Sequence, residues 1–506
     1  MKRSLQQVRT VFLALAAAFW LASAGAQEPA ERVLDAFEEI APWTAAPSDG
    51  VRASISQTQG ETGRALRFSF DFGGGAGYAA IRRALPLELP ENYEISFQIR
   101  GDAPANNLEF KLTDASGENV WWSVRRDYAF PREWTRIAIR KRQIEFAWGP
   151  TQDRRLRRAA HVEFVVSAGA GGAGAIEIDN LTIRELPPEP ISYPAAIARA
   201  TSWQTGFGAE LGADGRPQTQ WRSDSVAGRD QIFFLDLGLE REFGGLVLRW
   251  VDGAYASRYD VEFSHDGVEW ILARRIEGGD GGVDPLMLTE SEARYVRLRL
   301  FEGPGGFYGL AEAEIRDLAF GATPQAFFQA LAREAPRGAY PRGMRGEQNY
   351  WTLVGVDGGG ARSALFSEDG ALELGPGGVS VEPFLIAEGR VFSWADIEIT
   401  QALRENYLPI PSVLWRGPGW ELRTTALADG AADAPRLLHR YELTNASDHV
   451  REFSLVLAVR PFQVNPPQQF LGAPAGFSPI NEIAWTGAEV AINGAPRLRP
   501  LQAPDA

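Results

Sequence analysis

From residue 65 onward, apolar and polar side chains alternate in short runs. The runs are separated by glycine, proline, asparagine and aspartate. A period of two is the signature of strands with one buried face. The first block predicts strands at 65–72, 93–100, 108–113, 120–124, 135–139, 161–166 and 175–184. A second block predicts them at 231–237, 245–250, 257–264, 295–300 and 313–318, with a hairpin turn at Asp266-Gly267. A third predicts them at 350–356, 363–366, 379–386, 391–403, 420–428, 436–445 and 452–461. Residues 323–332 alone carry a clear helical signal. The pattern implies an all-β chain in three parts, 31–186, 191–320 and 340–497, with a connecting helix and linker at 321–339. Pro187-Pro188-Glu189-Pro190 reads as a stiff extended linker. Residues 498–506 read as a frayed end, or as a cut in a longer protein.

Within the first block, residues 110–150 place Trp121 and Trp122 side by side in a strand. Neighbouring strand residues point to opposite faces, so the two rings cannot fill one core. One is expected inside and the other on the outer or concave face, where an indole can stack on the C–H face of a sugar. Burial of both under loops is the alternative.

Composition narrows the picture. Lys2, Arg3 and Arg9 precede an apolar run at 11–22 and an Ala24-Gly25-Ala26 cleavage signature, so residues 1–26 read as a secretory signal peptide. The run is short for a transmembrane span, and no later segment reaches that length. A periplasmic or extracellular location is expected. Cleavage would remove three positive charges and no negative ones, moving the net charge from −14 to −17. Such acidity argues against nucleic acid and anionic lipid as partners and suits a neutral glycan. There are no cysteines, which excludes disulfides and thiolate chemistry.

Several strings look like chemistry and read better as structure. Gly169-x-Gly171-x-x-Gly174 matches a dinucleotide fingerprint, but a strand rather than a helix is expected after it, so no nucleotide is expected. Asp396 and Glu398 would share a face of a strand spanning 391–403, either as a glycosidase carboxylate pair or as part of a solvated face. His161, His265, His439 and His449 are scattered, which argues against zinc, and no haem is expected. No Gly-x-Ser-x-Gly elbow occurs.

Three resemblances sharpen these expectations. Leu34-Asp35-Ala36-Phe37-Glu38, Phe110-Lys111-Leu112-Thr113-Asp114, Asn119-Val120-Trp121-Trp122 and Ile176-Glu177-Ile178-Asp179-Asn180-Leu181 make the first part resemble carbohydrate-binding jelly rolls of the galactose-binding-like superfamily. Its neighbours there are the family-eleven carbohydrate-binding modules and the complex I intermediate-associated domain. Ala200-Thr201-Ser202, Thr219-Gln220-Trp221, Asp236-Leu237-Gly238, Ser264-His265-Asp266-Gly267 with Trp270, and Ala293 to Leu298 make the second part resemble the coagulation factor five/eight type C, or discoidin, domain. Residues 437–445 and 455–461 make the third part similar to the β-sandwich that precedes an (α/α)6 barrel in some glycoside hydrolases and phosphorylases. The implied architecture is tandem galactose-binding-like jelly-roll sandwiches followed by a larger antiparallel β-sandwich.

The discoidin resemblance implies a ligand site on loops at one end of the barrel, drawing on Trp203, Arg222, Tyr255, Arg258, Phe307 and Tyr308. Phe307, flanked by glycines, reads as an exposed tip. Structural calcium is the expected cofactor, since it takes carboxylate and carbonyl oxygens from loops. Asp35 and Glu38 could meet Asp179 in the first part. Asp214 and Glu312 resemble the discoidin calcium position. Three functions stay open: a non-catalytic accessory region of a carbohydrate-active enzyme with a catalytic domain downstream, a glycoside hydrolase or phosphorylase in its own right, and an adhesion scaffold binding protein or lipid.

Overall fold

The structure is a computed structural model that describes residues 31–224, 230–360, 362–375, 377–465 and 476–502. The signal segment 1–26 and the last four residues of the tail lie outside the described residues. The regular structure is nearly all β, every described pairing is antiparallel, and the chain separates into two compact units, 1–191 and 192–506. The boundary falls just after the proline-rich linker. Among the described residues, no helix is long and apolar enough to cross a membrane.

The first unit is a sandwich of two six-stranded sheets. One orders Arg52–Gln59, Arg64–Asp71, Ala173–Glu185, Tyr93–Asp102 and Thr135–Arg140, with Glu31–Asp35 also on Ala173–Glu185. The other orders Glu145–Trp148, Val120–Tyr128, Asn106–Thr113, Arg158–Ser167, Tyr78–Glu88 and Thr44–Ala45. Their inner faces supply one core, in which the Phe164 ring meets Phe97 at 4.9 Å and Phe110 at 5.4 Å, both edge-on. All seven expected strands are present. Arg52–Gln59, Tyr78–Glu88 and Glu145–Trp148 were not anticipated. The glycine string Gly169 to Gly174 runs directly into strand Ala173–Glu185, with Gly174 already inside it.

The second unit opens with a seven-stranded sheet around its own core, including Trp221, Phe233 and Tyr259. Strands expected separately at 231–237 and 245–250 are one strand, Gln231–Trp250, paired along most of its length with Val283–Glu302. The Asp266 turn forms as expected: its carboxylate accepts from the Val268 and Glu269 N–H groups at 2.8 and 2.9 Å.

Helix Pro324–Glu334 follows, capped by Thr323, whose hydroxyl accepts from the Ala326 N–H at 3.0 Å. Its aromatic residues link two bodies. Phe320 packs so tightly on Gly245 that a Cβ there would stand 2.3 Å from the ring. Phe320 meets Phe327, and Phe328 meets Phe462 and Phe477 of the next body, all at 5.1–5.2 Å.

That body is a β-sandwich. A sheet of Trp351–Val354, Ala364–Ser367, Leu372–Glu373, Ser380–Ala387, Arg390–Phe392 and Phe453–Arg460 shares a core with a sheet of Glu398–Arg404, Leu408–Gly417, Trp420–Ala431 and Ala434–Asn445. The strand expected over 391–403 is instead two strands around a turn. Asp396 makes that turn: its carboxylate accepts from the Ser393 N–H at 3.0 Å and the Ser393 hydroxyl at 2.8 Å. Asp396 and Glu398 therefore do not sit at alternate positions of one strand. Asp396 also pairs with Arg390, and the Ser393 bonds and Arg390 outweigh partial burial to hold its carboxyl below the usual range. That is the environment of a structural carboxylate rather than of a general acid.

Candidate functional site

The outer face of the Trp122 sheet carries the clearest arrangement. Trp121 turns inward: it is 5 % exposed, its Nε1–H donates to the Arg154 carbonyl at 2.6 Å, and its ring stands edge-on to Phe146. It is a core residue, not a platform. Trp122 turns outward, half-buried, as strand alternation requires. Trp148 stands edge-on to it at 5.4 Å and is 47 % exposed. Tyr78, 46 % exposed, belongs to the same face. Register places Trp122, Lys111, Glu163 and Arg82 in one cross-strand row.

At the centre of this face lies the Lys111 ammonium. It is 5.1 Å from the Trp148 ring, 5.5 Å from Trp122 and 5.9 Å from Tyr78, within reach of cation–π attraction. It also pairs with Glu109 at 2.8 Å. Glu109 in turn accepts from the Ser167 hydroxyl at 2.6 Å, and Ser167 accepts from Asn107 at 3.3 Å. Arg82 pairs with Glu163 in the same way. The floor of the face is thus a closed polar network flanked by three partly open rings. Trp148 and Tyr78 were missed in the sequence because each stands in or at the start of a strand that the pattern did not reveal.

The loop end of the seven-stranded sheet holds a cleft of about 520 Å³ lined in part by Ser223, Tyr255, Ser257, Phe301, Glu302 and Phe307. Gly303 and Gly305 let its loop approach the backbone: a Cβ would stand 2.2 Å from the Tyr255 carbonyl and 2.6 Å from that of Gly253. Of the expected residues, Tyr255, Phe307 and Tyr308 reach the cleft. Phe307 is half-buried there rather than an exposed tip, and the Arg222 guanidinium lies 5.6 Å from its ring. Tyr308 is mostly interior and packs with the core, and burial raises its hydroxyl pKa. Arg258 borders the cleft by pairing with Glu302 at 2.8 Å. Trp203 is exposed and does not line the cleft. Phe301 and Glu302 were legible in one respect only, as the last residues before a glycine-rich loop.

The expected calcium ligands divide. Asp35 is committed inside the protein: it accepts from the Phe37 N–H at 2.8 Å and the Trp43 Nε1–H at 2.7 Å, and it pairs with Arg83. Asp179 accepts from the Glu61, Thr62 and Asn180 N–H groups, and Glu38 accepts from that of Arg64. Burial, and to a smaller extent the Glu38 charge, push the Asp179 carboxyl upward. Asp35 shares no partner with the other two, so the three do not form one site. Among the described residues, no group of three or more His, Cys, Asp or Glu stands together as a metal cage.

Asp214 and Glu312 are different. Glu312 is buried, and its Oε2 has no hydrogen-bond partner. Burial pushes its carboxyl upward, with the Asp214 charge adding to this while the Gly215 and Arg216 N–H groups oppose it. A buried carboxylate oxygen without a partner, beside a second acid in a loop, is a donor set that fits a hard cation taking oxygen ligands.

Against this geometry the comparisons are specific in one place. Residues 196–313 match the F5/8 type C domain family. No protein of curated function matches the chain. Among solved structures, chitosan-binding module 1 of a chitosanase/glucanase from Paenibacillus sp. IK-5 is 31% identical, with a TM-score of 0.23 over 24% of this chain and 94% of the module. A family 32 carbohydrate-binding module of Clostridium perfringens NanJ, solved with galactose, is 20% identical, with a TM-score of 0.23 over 24% of this chain and 93% of that one. The family 11 carbohydrate-binding module of a Clostridium thermocellum cellulase is 19% identical, with a TM-score of 0.27 over 31% and 96%.

Proposed function

We propose that this protein binds a neutral polysaccharide through the outer sheet face of its first unit. The observation that carries the reading is the set of rings, Trp122, Trp148 and Tyr78, around the Lys111–Glu109 pair. Flat rings accept the apolar faces of sugar rings, and the polar floor offers donors and acceptors to hydroxyls. At the centre of the face Lys111 pairs with Glu109 and Arg82 with Glu163, so these cations are already answered by carboxylates and are not left for an anionic ligand. The cleft at Tyr255, Phe301 and Phe307 would serve as a second, separate glycan site.

The chain would work as an exported, non-catalytic accessory region of a carbohydrate-active enzyme. The role assigned to Asp396 in its turn supports the non-catalytic part of that reading.

Trp148→Ala and Trp122→Ala are each expected to weaken binding about fivefold, since an aromatic contact contributes about 1 kcal/mol. Val268→Ala, exposed and outside both the face and the cleft, serves as the control. Affinity electrophoresis in gels cast with neutral β-glucans measures it. Unchanged retardation of a folded Trp122→Ala, Trp148→Ala double variant refutes the platform.

Asp214 and Glu312 would hold a structural calcium ion in the F5/8 type C domain. Calcium is expected to raise the unfolding midpoint, and Glu312→Gln to remove most of that rise, because an ion bound only to the native state stabilises it by mass action. Calorimetric traces that coincide in calcium and in chelator rule this out.

A further inference from the structure

The four-stranded sheet of the last sandwich ends on a strand with no neighbour beyond it. Ala434–Asn445 pairs with Trp420–Ala431 over all twelve of its residues, without a bulge. Among the described residues, no strand pairs with its other edge. Long, regular edges present rows of free N–H and C=O groups, and soluble proteins usually blunt them with bulges, prolines or short strands. Here the only proline, Pro435, sits at the very start. Among the described residues the next strand in sequence, Phe453–Arg460, is likewise an edge of the facing sheet, paired only with Ser380–Ala387. A short loop joins the two, so both sheets stop on the same side. Leu438, Val450, Val456 and Leu457 are exposed along that side.

We propose that Ala434–Asn445 pairs antiparallel with the same strand of a second copy, across a two-fold axis at residue 439. Charge and overlap together select that register: centring the axis on 441 would also oppose Arg440 to Glu442, but would pair only residues 437–445 rather than 434–444. Centred on 439, Arg436 faces Glu442 of the second copy, and the symmetry makes this opposite-charge pair twice. On the same outer row Leu438 faces Arg440. On the core-facing row Leu437 faces Tyr441, which covers side chains that are half-buried in one copy. Centring the axis on 438 would set Arg436 against Arg440, and centring it on 440 would set Arg440 against itself. Like charges directly opposite destabilise a sheet. In a single copy Arg436 pairs with Asp429 and Arg440 with Glu442, yet both arginine side chains are 73 % exposed and free to reach across. The product is one continuous eight-stranded sheet with the two open edges closed.

Sedimentation velocity of the full chain from about 1 to about 100 µM tests this. A reversible dimer is expected. Arg436→Glu and Glu442→Arg should each weaken it about tenfold, because each places two like-charge pairs across the axis. The double variant restores both opposite-charge pairs with their signs exchanged and should recover the dimer to within about threefold. Both positions are on the outer face, and circular dichroism checks that each variant folds. A chain that stays monomeric at about 100 µM leaves the edge to some other occupant and overturns the proposal. So does a dimer that neither single reversal weakens, or a double variant no better than the singles.

Discussion

Asp35→Ala is expected to destabilise the first unit by about 3–5 kcal/mol, the cost of breaking a buried ion pair from one side. The carboxylate holds three groups together: the Phe37 N–H, the Trp43 indole and the Arg83 guanidinium. Its bond to Phe37 steadies a backbone held at φ 52°, a conformation that a bulky side chain rarely adopts. That turn delivers the fully buried Phe37 ring onto Trp43 at 5.4 Å, and Trp43 onto Phe164 at 5.7 Å. Removing the carboxylate strands the guanidinium, whose Nε already has no partner, and releases the turn. Hydrogen exchange of strand Arg158–Ser167 in the full chain reads the loss for this unit alone. A change below about 1 kcal/mol would show that the carboxylate is dispensable.

Mild acid should weaken the last sandwich through His439. Its Nδ1 shares a hydrogen bond of 2.8 Å with the Tyr441 hydroxyl, its ring stands edge-on to Phe366, and its Nε2 is buried without a partner. Burial lowers its pKa to about 3. The unfolded chain protonates a histidine near 6.5, so between about 6.5 and 3 the unfolded state binds the extra proton. The contribution is therefore fully present above about pH 6.5 and is lost as pH falls toward 3. At pH 5 the loss relative to pH 7 is about 2 kcal/mol. His439→Phe keeps the volume and removes the proton site, so the variant should lose that much less stability between pH 7 and pH 5. The carboxylates common to both proteins cancel in the comparison. Parallel stability–pH curves would rule the histidine out.

The period-two pattern was enough to locate most of the sheets, because buried strand faces repeat strongly. It failed where other demands interrupt the repeat. Leu408–Gly417 carries Pro409 and Pro411, which argue against a strand inside a sheet; the stretch paired on both sides begins only at Ser412, past both prolines. Tyr78–Glu88 contains two adjacent arginines, an internal proline and a register shift in its pairing with Arg158–Ser167. The break at Asp396 was hidden by flanking residues that alternate on their own. At the outer face of the Trp122 sheet, alternation required Trp121 and Trp122 to separate but not which would turn inward; the Arg154 carbonyl that receives the Trp121 indole comes from a distant loop. Lys111 was visible only as one residue of a motif. Its place among three rings depends on strands far apart in sequence.

The aromatic contacts from Phe320 through Phe328 to Phe462 and Phe477 fix the F5/8 type C domain to the sandwich without a slack tether. A cleft mounted in this way cannot search for ligand independently of the body that carries it. If two such bodies join along Ala434–Asn445, their clefts sit at one set distance. Paired engagement would then favour polymers whose recognised units recur at that spacing, because effective concentration collapses when the span does not fit. The dimer would act as a gauge of ligand periodicity, which neither cleft senses alone.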